Sequence, residues 1–418
     1  MNSRIYTVAI LGVGSRGGNG YGRIINTMSE QFKIVSLCDI RRERLDMFAP
    51  EFNVPAENCF DTDEEFLRER RADLLIIATQ DKDHVRHCLR AFELGYDVLM
   101  EKPITADKDE CLMLLEAQKK YGNRALVCHV LRYSKPYMKV MELIDEGKIG
   151  RLVAIDALEP VKYWHQAHSY VRGNWRRTGE STPMILAKCC HDLDLLQYYA
   201  KSRCESVSSV GDLTFFNQDN APEGCATRCT ECKYADTCEY SAKDIYVNGW
   251  HRKNTPEDDW PFNIIASAPI TEEKLWEAIK NGPYGRCVFH CDNDAVDHQM
   301  VQMTFKNGVK ASLLMTAFND KMGRCYRFYG THGMIILANE CVTLREFGKD
   351  DVEFSSKELL ESGHAHGGGD FGLISSLYAM LTGAAPESTS LEASVESHLM
   401  GIAAEESRLH GGALIKIH

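Results

Sequence analysis

The sequence predicts an α/β protein of two domains. An N-terminal, doubly wound parallel sheet precedes a C-terminal α+β domain with an open, largely antiparallel sheet. Three observations predict this. An apolar strand pattern near the start runs into G-x-G-x-x-G, and strand and helix patterns then alternate up to about residue 130. Beyond about residue 150, strand patterns follow closely on one another with short turns, among them Lys306-Asn307-Gly308. Strand–helix alternation implies parallel strands with helical crossovers, whereas close succession with an Asn-Gly turn implies antiparallel hairpins. A length of 418 residues suits two domains better than one. The expected division is residues 1–130 and 131–418, with a cysteine-rich insertion at 217–270.

Ile5 to Leu11 reads as the first strand, apolar on both faces as a central parallel strand requires. Gly12-Val13-Gly14-Ser15-Arg16-Gly17 follows, and a helix is expected from about Gly20 to Glu30. The glycine positions allow a tight strand-to-helix turn, close approach of backbone to a pyrophosphate, and close helix packing. The helix N-terminus then offers unpaired N–H groups to phosphates. Gly12, Gly14, Ser15, Arg16 and Gly17 are therefore candidate cofactor contacts in a Rossmann-type fold.

The second strand, Ile34 to Cys38, ends in Asp39, about 20 residues beyond the glycines. A carboxylate there accepts the hydroxyls of an adenosine ribose and repels a 2′-phosphate, which favours NAD over NADP. Arg41 and Arg42 are neighbours able to turn toward a phosphate. Strands at Ala72 to Ala78, Asp97 to Met100 and Ala125 to His129, with helices at Asp83 to Gly95 and about Lys108 to Tyr121, complete the unit. Ligands of such sheets lie at the carboxyl ends of the strands. Thr79, Gln80, His84, Glu101 and Lys102 all fall there; His84 is equally suited to capping or packing its helix.

Lysine plus arginine number 48 against 60 aspartate plus glutamate, a formal net charge of −12, which argues against a general nucleic-acid binder. A hydrophobic fraction of 44% and a charged fraction of 26% fit a globular enzyme and exclude a disordered chain. No run reaches the roughly 18 to 20 apolar residues needed to cross a bilayer, and the start does not read as an export signal. A cytoplasmic protein without membrane or nucleic-acid partners is expected. Its single cysteines, such as Cys38, Cys88 and Cys128, then read as buried thiols.

In the second domain, strands are expected at Leu152 to Leu158, Val207 to Phe215, Val301 to Phe305, Val309 to Thr316, Arg324 to Tyr329, Gly333 to Leu337 and Cys341 to Leu344. A continuous helix over Met184 to Tyr199 would bring Lys188, His191, Asp192 and Leu195 to one side. A helix capped by Asp370 runs to about Leu381, and another, from about Leu391 to His410, packs back onto the body. Trp164, His165, His168, Tyr170, Trp175, Arg176, Arg177, Trp260 and Phe262 read as loop residues around a cleft. Aromatic faces cover sugar C–H surfaces while arginines and histidines bind hydroxyls, so a small polyhydroxylated substrate is expected. His364 and His366, in a glycine-rich loop before Asp370, are candidates for the pocket edge.

The glycine turn, Asp39 and Glu101-Lys102-Pro103-Ile104 at a strand end resemble the Gfo/Idh/MocA oxidoreductases of sugars and cyclitols. Leu131-Arg132-Tyr133-Ser134 resembles that family's crossover into its second domain, and Cys190-His191-Asp192-Leu193-Asp194 its second-domain catalytic segment. The resemblance implies that Lys102 sits beside the nicotinamide and the reacting carbinol, where an ammonium favours the growing alkoxide charge. It implies that His191 binds substrate or relays a proton, with Asp194 as partner; the family's earlier acid is replaced by Ala187, and Lys188 is the alternative helper. Arg132 is taken as a substrate contact, and homo-oligomerisation through the C-terminal sheet is implied. The expected activity is NAD-dependent hydride transfer from a secondary alcohol of a sugar, glycoside or cyclitol. The alternatives are a glycosidase using transient oxidation and elimination, and a non-catalytic nucleotide sensor.

Cys225, Cys229, Cys232 and Cys238, spaced C-x3-C-x2-C-x5-C, place four thiols in a polar insert with little apolar content. Four thiolates suit a closed, structural zinc site; an iron–sulfur cluster is the less favoured reading, with disulfides or independent thiols as further ones. Cys287, His290 and Cys291 are read as bracketing a turn.

Overall fold

The computed structural model describes residues 4–253, 260–359, 368–385 and 388–418. The first sheet contains β1 (Tyr6–Leu11), β2 (Phe32–Cys38), β3 (Cys59–Phe60), β4 (Leu74–Ile77), β5 (Asp97–Met100) and β6 (Ala125–Val127). All pair in parallel, in the order β3-β2-β1-β4-β5-β6. Val8, Ile10, Leu74 to Ile77, Val98 and Leu99 are fully buried because helices cover both faces. The order reverses between β1 and β4, so a crevice opens at their carboxyl ends, where the glycine turn lies. Two-residue β3 leaves no apolar run in the sequence and was not among the expected strands.

The second sheet has nine strands: β7 (Leu152–Lys162), β8 (Cys204–Asp212), β9 (His298–Phe305), β10 (Lys310–Asn319), β11 (Cys325–Gly330), β12 (Gly333–Ala338), β13 (Cys341–Glu346), β14 (Val352–Phe354) and β15 (Ile415–Lys416). Their order is β14-β13-β12-β11-β7-β10-β9-β8-β15. Pairing is antiparallel except between β7 and β10. Gly308, at φ +92°, makes the predicted turn between β9 and β10. Period-two burial gives this sheet one apolar face: Val301, Met303, Leu313, Met315, Tyr326 and Phe328 lie in the core with helices Cys190–Ala200 and Leu391–Leu409. The opposite face leaves Val153, Val210, Met300 and Tyr329 exposed.

The C-terminal part returns to the first sheet. Leu373, Ile374 and Leu377 of helix Gly369–Leu381 share a core with Val8, Ile10 and Phe32. Tyr6 Oη donates to the Leu381 carbonyl at 2.7 Å, and Val127 N to that of Thr389 at 3.0 Å.

Two expected helices differ. Asp370 lies inside the first turn of its helix; the capping position is Gly368, at φ +81°. The helix expected over Met184 to Tyr199 is broken into Met184–Ala187 and Cys190–Ala200. In an unbroken helix the Ala187 carbonyl would accept the His191 N–H. The break at Lys188-Cys189 turns it toward the first sheet.

Candidate active site

The glycine turn is sterically obligatory. Gly12 has φ +90°, and a Cβ there would lie 2.5 Å from the Ala78 carbonyl oxygen; a Cβ on Gly17 would overlap the Gly12 carbonyl. The following segment, Ser15–Gly22, opens as a wide π-helical turn with no side-chain cap at Gly14. Its first N–H groups lack intrahelical acceptors. That is an anion cradle, and it fits a dinucleotide pyrophosphate.

The Arg16 side chain turns away from this cradle. It pairs with Glu101 at 2.8 Å and Asp370 at 2.7 Å, and lies over the Tyr21 ring. Glu101 also accepts the Tyr21 hydroxyl at 2.6 Å and the Lys102 N–H at 3.0 Å. Burial alone would raise the Glu101 carboxyl, but Arg16 and Lys102 outweigh it and hold it below its ordinary range. Glu101 is thus an ionised post that fixes Lys102.

Asp39, at the end of β2, accepts the Val13 N–H and the Arg41 N–H, each at 2.9 Å. The arginine beside its carboxylate is Arg44, at 3.2 Å; Arg42 pairs with Asp46 and Asp61 instead. After β4, Thr79 Oγ1 bonds His87 at 3.1 Å, and Gln80 is exposed ahead of a short turn. Buried His84 sits between the carbonyls of Pro103 (2.7 Å) and Thr79 (3.2 Å), both of which only accept. It clamps two strand-end loops together.

Lys102 crosses between the sheets. Its Nζ donates to the Ala187 carbonyl at 3.3 Å, four residues before His191. The Lys102–Pro103 peptide bond is cis. Ile104 N then donates to His398 Nε2 at 2.9 Å, while His398 Nδ1 donates to the Ser394 carbonyl at 2.7 Å. This fixes a neutral His398 tautomer, and burial followed by the neighbouring His129 lowers its pKa to about 3. The His129 ring meets those of His191 and His398, each with centroids 5.8 Å apart. Burial first, then Arg132 and Lys102, push His129 well below the usual histidine value.

The acids around His191 are engaged elsewhere. Asp194 receives a bidentate pair from Arg132, at 2.6 and 2.5 Å. Arg132 also donates to the Ser388 carbonyl at 2.9 Å and is buried, so its guanidinium is a structural tie. Asp192 accepts Arg324 at 2.8 Å and the Tyr326 hydroxyl at 2.5 Å. Burial still raises its pKa despite Arg324. Arg324 Nε also lies 2.8 Å from Glu159 Oε2, although it is aligned as a hydrogen bond only to Asp192. Lys188 pairs with Glu159 at 3.5 Å. The helix break thus points Lys188 and Asp192 toward a Glu159–Arg324 centre that the sequence did not reveal.

Trp164, His165 and Trp260 form one aromatic wall, with Trp260 centred 4.9 Å from Trp164 and 4.8 Å from His165. Burial, then Lys188, holds His165 well below its ordinary pKa, and its Nδ1 has no partner. Trp175 Nε1 donates to Asp81 at 2.9 Å; Thr182 and Ser181 bond the same carboxylate, joining the β4 end to the second domain. Arg176 pairs with Asp292 at 2.9 Å and Glu180 at 3.1 Å. His364 and His366 lie outside the described residues. Cys225, Cys229, Cys232 and Cys238 line one cavity, joined by Cys287 and Arg172. Of the four, Cys225 alone belongs to a compact ligand group among the described residues, so the expected four-cysteine zinc site is not shown. The compact ligand group among the described residues is Cys225, Cys287 and His290.

The family model described as "oxidoreductase family, NAD-binding Rossmann fold" matches residues 6–129, and its partner, "oxidoreductase family, C-terminal alpha/beta domain", matches residues 141–416. YteT of Bacillus subtilis (strain 168) is 24% identical over 377 residues, covering 85% of this chain and 84% of that protein. Inositol 2-dehydrogenase of Rhodococcus erythropolis (strain PR4) is 27% identical over 52% of this chain and 58% of its own. Levoglucosan dehydrogenase in complex with NADH and levoglucosan superposes with a TM-score of 0.71 at 15% identity, covering 99% of this chain and 100% of that one. The WlbA dehydrogenase from Bordetella pertussis, in complex with NADH and UDP-GlcNAcA, gives 0.67 at 15% identity, covering 100% and 98%. With both domain models matched in order over nearly the whole length, the chain belongs to the Gfo/Idh/MocA family of NAD-binding oxidoreductases.

Proposed function

We propose that the protein oxidises a secondary alcohol of a sugar, glycoside or cyclitol bound between its two sheets. The observation that carries this reading is the reach of Lys102 Nζ from the end of β5 to the Ala187 carbonyl, at the turn leading into His191. NAD, when bound, supplies the hydride acceptor. Gly12, Gly14 and Gly17, with the N–H groups of Ser15 and Arg16, hold its phosphates, and Asp39 takes the adenosine ribose. Thr79 and Gln80 flank it.

Lys102 gives up its weak carbonyl contact for the substrate hydroxyl and stabilises negative charge on that oxygen. His191 aligns the same hydroxyl and accepts its proton. His165, neutral and with Nδ1 unpartnered, binds a neighbouring hydroxyl, and Lys188 contacts the substrate from beside Glu159. Trp164 and Trp260 cover the apolar sugar face. Asp194, Arg132, Trp175, Arg176 and His84 act by holding the walls, in view of the partners their side chains already have.

The domain division near residue 130, a cytoplasmic location suited to sixteen unpaired cysteines, and a homo-oligomer formed over the exposed face of the second sheet belong to the same reading. The test is incubation with NAD and a panel of sugars, cyclitols and aryl glycosides, following NADH and released aglycone together. NADH formation without aglycone release supports it. Aglycone release without net NADH replaces it with redox-assisted glycoside cleavage, and NAD binding without either product with a sensor.

A further inference from the structure

We infer that the cysteine-rich insertion encloses a cubane iron–sulfur cluster, held by Cys225, Cys229, Cys232 and Cys238. This stands apart from the proposed hydride chemistry.

A single tetrahedral zinc ion, with Zn–S bonds of about 2.3 Å, holds its sulfurs only about 3.8 Å apart. Among the described residues, the set of ligand atoms lying mutually within 4.8 Å is Cys225, Cys287 and His290. Cys229, Cys232 and Cys238 are left out of it, yet all four cysteines of the motif line the same cavity. Its free volume of about 40 Å³ exceeds the roughly 10–15 Å³ that one water needs. The remaining lining includes Val288, Phe289 and Pro222, with Ser241 Oγ and Arg172 Nη1 as buried polar atoms that lack a partner. Thiols spread around a void of several atoms match a polynuclear core, with one thiolate per iron.

Arg172 lines the cavity and is 1% exposed. Its Nε and Nη2 donate to the carbonyls of Arg286 and Tyr240, each at 2.7 Å, and Nη2 lies 3.5 Å from Cys229 Sγ. Nη1 has no acceptor. A buried, incompletely satisfied guanidinium facing neutral thiols is costly. Four thiolates outweigh the positive charge of a cubane core, so a cluster gives Arg172 both a counter-charge and sulfur acceptors.

From Asn217 to Tyr240, Cys229 is the one buried residue. The segment is a chain of tight turns, with Cys225, Cys232 and Cys238 each closing one through its N–H. Such a coil has almost no apolar core of its own, and a shared inorganic centre supplies the missing crosslink. Through Arg172, the last residue of Gln166–Arg172, the cluster also braces the segment next to His165 and Trp164.

The experiment is metal and acid-labile sulfide analysis of the full-length protein purified without oxygen, with its visible spectrum. About four irons and four sulfides per chain, with a broad visible charge-transfer band, are expected. Cys232→Ser and Cys238→Ser should each lose the band and most of the iron, while His290→Ala keeps both. One zinc without sulfide, or no metal at all, overturns the inference. So does loss of metal in His290→Ala with retention in Cys232→Ser, which would assign a single ion to Cys225, Cys287 and His290. The wild-type analysis decides the matter even if a cysteine variant fails to fold.

Discussion

At the scale of single residues, the candidate side chains differ in how firmly their partners hold them. Lys102 holds only a backbone carbonyl at 3.3 Å, a contact a substrate hydroxyl readily replaces, whereas Arg132 and Asp194 are locked to each other. Lys102→Met should therefore lower kcat by roughly 10²–10⁴-fold while leaving NAD affinity nearly unchanged, as fluorescence titration and steady-state kinetics would read. Asp39→Ser removes the carboxylate that opposes a 2′-phosphate and leaves Arg44 beside the site. The ratio of kcat/KM for NAD over NADP should fall by at least about tenfold, a loss of roughly 1.4 kcal/mol of discrimination.

His398 gives a pH signature. Its folded pKa, about 3, lies below the usual histidine value. Below about pH 6.5 the unfolded chain takes up a proton that the folded chain refuses. Its contribution is thus complete above that pH and falls by about 1.4 kcal/mol per unit as the pH drops toward 3. Urea unfolding at several pH values should show a slope in His398→Gln shallower than the wild type's by up to about 1.4 kcal/mol per unit, the remainder coming from His129 and His165.

At the scale of elements, what was legible was what local sequence dictates. The glycine turn, the strand ends carrying Asp39 and Lys102, and the Asn307-Gly308 hairpin each announce themselves through residues that few other structures require. The helix break at Lys188-Cys189 did not, because the apolar pattern from Met184 to Tyr199 runs through it uninterrupted. Its causes are distant: Lys102 takes the freed carbonyl and Glu159 draws Lys188 away. The family resemblance makes Asp194 the partner of His191, whereas its carboxylate pairs with Arg132 from the crossover, which no local pattern reveals. Likewise Cys287 and His290 join the cysteine insertion from a separate loop. Breaking the Arg132–Asp194 tie leaves a carboxylate stranded in the core. Arg132→Met should cost roughly 3–5 kcal/mol in chemical denaturation, and the double variant Arg132→Met/Asp194→Leu should recover part of it.

At the scale of the whole molecule, the two sheets depend on each other. Helix Gly369–Leu381 covers the first sheet, His398 bonds the loop after Lys102, and Asp81 gathers Trp175, Ser181 and Thr182 across the junction. A fragment ending near residue 150 loses the helix packed on Val8, Ile10 and Phe32; it should stay poorly folded by circular dichroism and aggregate, although it contains the complete glycine motif. The same interdependence brings Lys102, at the end of β5, to the Ala187 carbonyl, four residues before His191 in helix Cys190–Ala200. The most direct test of that meeting is a crystal structure with NAD and an unreactive polyol bound. The account predicts Lys102 Nζ and the His191 imidazole within hydrogen-bond distance of one hydroxyl whose carbon faces the nicotinamide. A polyol seated elsewhere, with Lys102 still on the Ala187 carbonyl, would contradict it.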